Sequence, residues 1–356
     1  MNKFRILSAV SNEYWALEPS YMARMSAVLQ SWAFGKSASP EVLAEVQAAQ
    51  AARNDRKKAN ANVGGGIAVL PLYGVVTQRA SAIDEVCGGV VSTDNFAQTF
   101  RDAMADDSVG GIIIDIDSPG GSVFGVADLY DLIMSARGVK PVYGFVNSLC
   151  ASAAYWVGSA CSQLFAVQGS MTGSIGVYTQ HIDLSKALEM EGVSQEFISA
   201  GKYKVEGNSY GPLSDEARAF TQSQIDAYYS AFTSAVAKGR GQPIASVRDG
   251  MGQGRCLLPA DALAANMIDG VDTFAGVVRR MKSEMKSGGA NATATIDGAM
   301  AEGAVIDPSD AEMAERIANA TITEVAQPTA EQLAAVRDAW RTKYAARARL
   351  LDLTSA

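Results

Sequence analysis

Between residues 66 and 282 the apolar positions change period several times. "GIAVLPLYGVV" (66–76) is a nearly continuous apolar run and predicts a buried strand, broken by Pro71 and Gly74. "STDNFAQTFRDAMADDSV" spaces Phe96, Phe100 and Met104 along one helix face, with an N-cap at Thr93 or Asp94. "GGIIIDIDSPGG" is a β-branched run ending in a glycine-rich turn, the pattern of a parallel strand buried on both faces. A helix around 124–136 leads to the strand "KPVYGFVN" and then to a helix containing Ser152. "CSQLFAVQGSMTGSIGVYTQHID" predicts short strands around tight glycine turns, and "SKALEMEGVSQEFISAGKYK" a helix, then a strand and a loop. A long amphipathic helix is expected over roughly 214–238, and another in "ADALAANMIDGV". Strands alternating with helices predict an α/β domain with mainly parallel pairing.

The flanks read differently. Residues 1–62 form a helical prelude ending in a polar, basic linker, "AARNDRKKANANVGGG". After Lys286 the chain becomes "SGGANATATIDGAMAEGAVIDPSD", a flexible Gly/Ala/Ser segment. Two Ala-rich helical segments follow, near 309–320 and 329–351, the second with an apolar stripe of Leu333, Val336, Trp340 and Tyr344. The expected organisation is a prelude (1–62), an α/β domain (63–286), and a linker with an Ala-rich tail (287–356).

Composition narrows the function classes. With 48% hydrophobic residues in 356, a sizeable core is available, and a net charge of −8 argues against general nucleic-acid binding. Cys87, Cys150, Cys161 and Cys256 are scattered with no C-x-x-C pair, which suits free thiols rather than a zinc site or disulfide framework. No apolar stretch approaches the roughly 18 residues of a membrane span. "MNKFRILSAVSNEYWALEP" lacks the apolar stretch and cleavage site of a signal peptide, so a soluble, cytoplasmic protein is expected, neither anchored nor secreted.

Four short stretches carry candidate chemistry. "DIDSPGGSV" (115–123) ends a strand in a turn whose backbone N–H groups can point at an oxyanion, although most such strings are plain turns. Ser152, in "NSLCASAAYW", would sit at a helix start, with the Ala153 amide as a second oxyanion donor; buried serine in a helix is also commonly just small. A serine needs a base, and His181 is the only histidine. A lysine can serve if it is neutral, and Lys202 and Lys204 in "ISAGKYKVEGN" follow a predicted strand, where solvated loop charges are the ordinary reading. In "MTGSIGV" (171–177), Gly173 and Gly176 flank Ser174, whose hydroxyl could orient a neutral amine.

S-P-G-G, a serine in a small-residue helix, T-G-S-I-G-V and G-x-x-K, in that order, resemble the signal peptide peptidase A family of serine–lysine proteases over about 66–282. "GRCLLPADALAANMIDGVD" looks like that family's late segment. "ALEPSYMARM", "GIAVLPLYG" and "GKYKVEGNSYGPLSDEAR" are similar to its branch of capsid assembly proteases from lambda-type tailed bacteriophages, in which a C-terminal extension carries scaffold sequence.

The resemblance implies a crotonase-like spiral of β-β-α units, as in the Clp proteases, with helical extensions at both ends. It makes Ser152 the nucleophile, Lys204 rather than Lys202 the base, and Ser174 the hydroxyl that orients Lys204. Gly121 and Ala153 become the oxyanion amides, and no metal or cofactor is implied. The implied setting is the procapsid in the host cytoplasm, with scaffold, portal or other capsid proteins, and the chain itself, as substrates. The implied assembly is a ring in which neighbouring protomers share sites. The rival readings are a crotonase-type acyl-CoA enzyme and a non-catalytic scaffold or minor capsid protein.

Overall fold

The computed structural model describes residues 13–33, 64–79 and 89–286, with isolated positions at 48, 51 and 55. The basic linker before Gly64, Cys87 and the predicted tail after Lys286 lie outside the described residues.

Strand β1 (Trp15–Leu17) and helix α1 (Pro19–Ala33) come first, then β2 (Ile67–Tyr73), β3 (Val75–Thr77), β4 (Val90–Ser92) and α2 (Thr93–Ala105). Next come β5 (Gly111–Ser118), β6 (Gly120–Ser122), α3 (Val126–Ala136), β7 (Val142–Ala151) and α4 (Ala153–Ser159). After β8 (Gln163–Ala166) and β9 (Met171–Gly173) the chain turns to α5 (Ser185–Met190) and the long α6 (Asp215–Arg240). A π-helical turn (Ser246–Gly250), β10 (Cys256–Leu257), α7 (Pro259–Ala264), β11 (Gly270–Val271) and α8 (Phe274–Lys286) complete it.

Two sheets organise these elements. The larger runs β10-β9-β7-β5-β2, with β8 beside β7 and β11 beside β8, and every pair except β9–β10 is parallel. The smaller runs β1-β6-β3-β4. After β2 and again after β5, one turn residue carries the chain from the large sheet into the small one: Gly74 (φ 90°) leads to β3 and Pro119 leads to β6, whose first residue Gly120 has φ 93°, before a helix returns it. This is the β-β-α spiral, in an α/β fold with mainly parallel strands. Ile112, Ile113, Ile114 and Ile116 are fully buried on both faces of β5, as a central parallel strand requires.

Several local expectations shift. Pro71 does not break β2, because among the described residues β2 pairs only with β5 and an edge strand can spare an N–H. The N-cap of α2 is Ser92, one residue earlier than expected, its hydroxyl accepting from the Asn95 amide at 3.2 Å. The helix in "ADALAANMIDGV" stops at Ala264, where Asn266 turns the chain at φ 57° into β11. "QEFIS" forms no strand: residues 193–200 are exposed and pair with no sheet edge. The prelude contributes a strand as well as a helix, with Trp15 and Leu17 buried against Met22, Met25 and Val75.

Helix α6 matches the long amphipathic helix expected over roughly 214–238, and residues at its ends cap it. The Ser214 hydroxyl accepts from the Ala217 amide, Asp215 and Glu216 lie in the first turn, and Lys238 and Arg240 lie in the last. Phe232 stacks on Trp156 of α4 with ring centroids 4.7 Å apart. The Arg137 guanidinium joins the ends of both helices, donating to the carbonyls of Ser159, Ala160, Cys161 and Gly239 at 2.6–3.1 Å. Arg137→Ala would strip four carbonyls of a charged donor. It is expected to destabilise the fold by on the order of 3 kcal/mol, read as a lower urea midpoint. An unchanged midpoint would show that water replaces the guanidinium at no cost.

Candidate active site

Strand β7 ends at Ala151 and α4 starts at Ala153, so Ser152 is the single residue between them. Its backbone is left-handed (φ 55°, ψ −120°), a conformation that costs a non-glycine residue about 1–3 kcal/mol. Main-chain bonds hold it there: the Ser152 amide donates to the Gly173 carbonyl at 2.7 Å and the Trp156 amide to the Ser152 carbonyl at 2.9 Å. The serine is 1% exposed. Its hydroxyl donates to the Gly176 carbonyl over 3.4 Å, too long to fix the Oγ firmly. The sequence places the helix start just before Ser152; the helix begins just after it, so the hydroxyl belongs to the strained turn.

Ser174 lies beside it. The β7–β9 pairing aligns Ala151 with Gly173, so Ser152 and Ser174 are the next residues of two adjacent parallel strands. Ser174 is also left-handed (φ 54°) and buried, and its amide donates to the Arg255 carbonyl at 2.9 Å.

The Ser-Pro-Gly-Gly turn forms the facing wall. Ser118 shapes it, donating to the Gly74 carbonyl at 2.6 Å and accepting from the Gly120 amide at 3.2 Å. A Cβ on Gly120 would lie 2.9 Å from both the Ala151 carbonyl oxygen and the Ser152 Cβ. A Cβ on Gly121 would lie 1.8 Å from the Val76 carbonyl oxygen, so neither position accepts a side chain. The turn and Ser152 are in contact, and the Ala153 amide follows at the first position of α4.

The basic candidates are elsewhere. Lys202 pairs with Glu216 at 2.9 Å and donates to the Tyr203 hydroxyl at 2.7 Å; these two contacts, the tyrosine first, raise its pKa and hold it charged. Lys204 is exposed, in the turn over 201–207, its amide donating to the Gly201 carbonyl. It makes no hydrogen bond to Ser152 or Ser174 within the described residues of one chain. The His181 Nε2 lies 3.1 Å from the Gly211 carbonyl, engaged away from Ser152. The structure therefore brings together Ser152, Ser174, Gly121 and Ala153, and leaves Lys204 outside.

Other nucleophiles are accounted for. The Ser148 hydroxyl donates to Asp117, and Ser159 donates to the Trp156 carbonyl at 2.7 Å. Burial raises the thiol pKa of Cys150, Cys161 and Cys256, the last two to about 12, so none is a thiolate near neutral pH. Sequence reasoning missed Asp115, fully buried in β5, which accepts from the Tyr73 hydroxyl and from the Asn147 amide at 3.4 Å. Its signal was a carboxylate inside the apolar run "IIIDIDS". Among the described residues no cluster of His, Cys, Asp and Glu could hold a metal ion, and no helix is long and apolar enough to cross a membrane.

Comparison with known proteins bears on this arrangement. Residues 135–287 match the model of peptidase family S49. The chain is 32% identical over 254 residues to capsid assembly protease C of Escherichia phage lambda, covering 68% of this chain and 58% of that one. It is 32% identical over 303 residues to the head-tail preconnector protein GP5 of Enterobacteria phage P21, covering 81% and 59%. A putative protease of Synechocystis sp. is 30% identical over 199 residues, 55% of this chain and 71% of that protein. The chain thus spans under two thirds of the length of the two phage relatives.

Proposed function

This chain belongs to peptidase family S49, and we propose on that premise that it is a serine endopeptidase acting through Ser152 and Lys204 in bacteriophage head maturation. The observation that carries the reading is Ser152 itself: a buried serine on a strained turn, loosely bonded through its hydroxyl and packed against a glycine turn. Strain of this kind collects at functional sites.

In the proposed mechanism Lys204, in its neutral form, takes the Ser152 proton as Oγ attacks the scissile carbonyl. The amides of Gly121 and Ala153 receive the oxyanion, and Ser174 orients the lysine. The lysine then protonates the leaving amine and later activates the water that releases the acyl group. The phage relatives are named as a capsid assembly protease and a head-tail preconnector protein, which supports scaffold, portal or other procapsid proteins as substrates, inside the procapsid in the host cytoplasm.

The exposed position of Lys204 supports a site completed by a neighbouring protomer. The segment before it carries apolar side chains without cover in one chain, Met190 at 89% and Ile198 at 97% exposed. Burying such a patch is a reason for protomers to associate. The test is mixing. Ser152→Ala and Lys204→Ala proteins, each inactive alone, should regain up to about a quarter of wild-type activity when co-expressed, because about one interface in four unites an intact serine with an intact lysine. Mixed oligomers that form and stay inactive would place both groups in one chain.

A further inference from the structure

The edge of β6 that carries Gly121 is occupied. Strand β1 lies on it antiparallel, in the register Trp15↔Ser122, Ala16↔Gly121 and Leu17↔Gly120. On its other side β1 bridges Tyr178: the Trp15 amide donates to the Tyr178 carbonyl at 2.8 Å, and the Tyr178 amide to the Trp15 carbonyl at 3.0 Å. Strand β1 and its flanking residues Tyr14 and Glu18 are therefore held through the main chain between the glycine turn and the segment after Ser174. Extended peptides are bound in this way when they add to a sheet edge.

The phase of the ladder decides which carbonyl faces Ser152. In an antiparallel pair, opposed residues alternate between exchanging both hydrogen bonds and exchanging none. The Val123 amide donates to the Tyr14 carbonyl at 3.1 Å, and the Glu18 amide to the Pro119 carbonyl at 2.8 Å. Tyr14/Val123 and Glu18/Pro119 are thus bonded positions, and the bonded position between them is Ala16/Gly121. The Gly121 amide points at the Ala16 carbonyl. That same oxygen lies 2.2 Å from the point where a Cβ on Gly120 would stand, and the Ser152 Cβ lies 2.9 Å from that point. Trp15 and Leu17 anchor the strand in an apolar cluster with Met22, Met25 and Val75, while the small Ala16 falls between them in the alternation.

We propose that residues 14–18 fill this chain's own peptide groove as an internal substrate, and that Ala16–Leu17 is the first bond it cuts. The proposal rests on the reading of Ser152 given above. Ser152 Oγ attacks the Ala16 carbonyl carbon and gives its proton to the base. The carbon–nitrogen bond breaks, the proton passes to the Leu17 amine, and water then hydrolyses the ester to free Ser152 and an Ala16 carboxylate. Until the strand leaves, an external peptide has no access to the same edge of β6.

The experiment follows the full chain, wild type and Ser152→Ala, by intact-mass measurement and N-terminal peptide mapping, with casein turnover assayed in parallel. A chain beginning at Leu17 should accumulate in the wild type only, and casein turnover should follow its appearance. Full-rate casein turnover with the Ala16–Leu17 bond intact overturns the proposal and leaves Ser152 as the nucleophile. A cut at Leu17 that persists in Ser152→Ala belongs to another protease and also overturns it. Absence of both casein turnover and the cut overturns the internal substrate together with the proposed endopeptidase activity.

Discussion

Ser152→Ala is expected to abolish proteolysis while leaving the thermal midpoint within a few degrees of wild type. The reason is the division of labour at this residue. Its backbone is fixed by two main-chain bonds, to Gly173 and from Trp156, which alanine keeps. Its side chain contributes one long bond to the Gly176 carbonyl, so little stability leaves with the hydroxyl. Chemistry behaves oppositely, because loss of a nucleophile typically costs several orders of magnitude in rate. Hydrolysis of casein and labelling by a fluorophosphonate probe should disappear together. Ser148→Ala and Ser159→Ala provide the contrast. Ser148 is exposed and tied to Asp117, and Ser159 is buried and tied to its own helix, so both variants should keep near-normal turnover. Undiminished cleavage by a folded Ser152→Ala protein would remove the central assignment.

Lys204→Ala and Lys204→Arg should both fall to background, and the arginine variant is the more informative. Arginine keeps the charge and much of the length of lysine but stays protonated, so it cannot accept the serine proton. A lysine needed only for charge or docking would be replaced well by arginine. Lys202→Ala should retain substantial activity, since Lys202 is held as a cation by Tyr203 and Glu216 in an exposed ion pair of little energetic weight. His181→Ala should also remain active, because its ring is engaged with the Gly211 carbonyl. Steady-state turnover of a single peptide substrate by the four variants reads these outcomes. An active Lys204→Arg enzyme, or a folded but inactive His181→Ala enzyme, would require a different base.

The likeness between the serine turn and the glycine turn also bears on stability. Gly120 and Gly121 admit no Cβ, and Ser152 and Ser174 occupy backbone conformations that favour glycine. A fold optimised only for stability would avoid this concentration of strain around one small volume. Its presence is understandable where backbone amides and a hydroxyl must meet at one carbonyl.

Much of the fold is legible in short stretches of sequence, and the legible part shares a physical origin. The β-branched run of β5, the helical spacing of Phe96, Phe100 and Met104, and the amphipathic pattern of α6 act over a few residues, so they can be read from neighbours. Ser-Pro-Gly-Gly, Ser152 and the turn around Ser174 are visible as short strings, but their shared role comes from the family resemblance and not from local pattern. The features that could not be read locally involve partners distant in sequence. Pro71 stays inside a strand because β2 is an edge, which depends on where every other strand lies. Trp15–Leu17 becomes a strand only because β6, over a hundred residues later, offers an unpaired edge, and "QEFIS" fails to become one because no edge is offered to it. The single residue by which Ser152 precedes its helix follows from the Ser152 amide being claimed by Gly173 across the sheet. Backbone hydrogen bonds must be satisfied somewhere, and whether a short segment finds its partner locally or across the fold is not written in the segment itself.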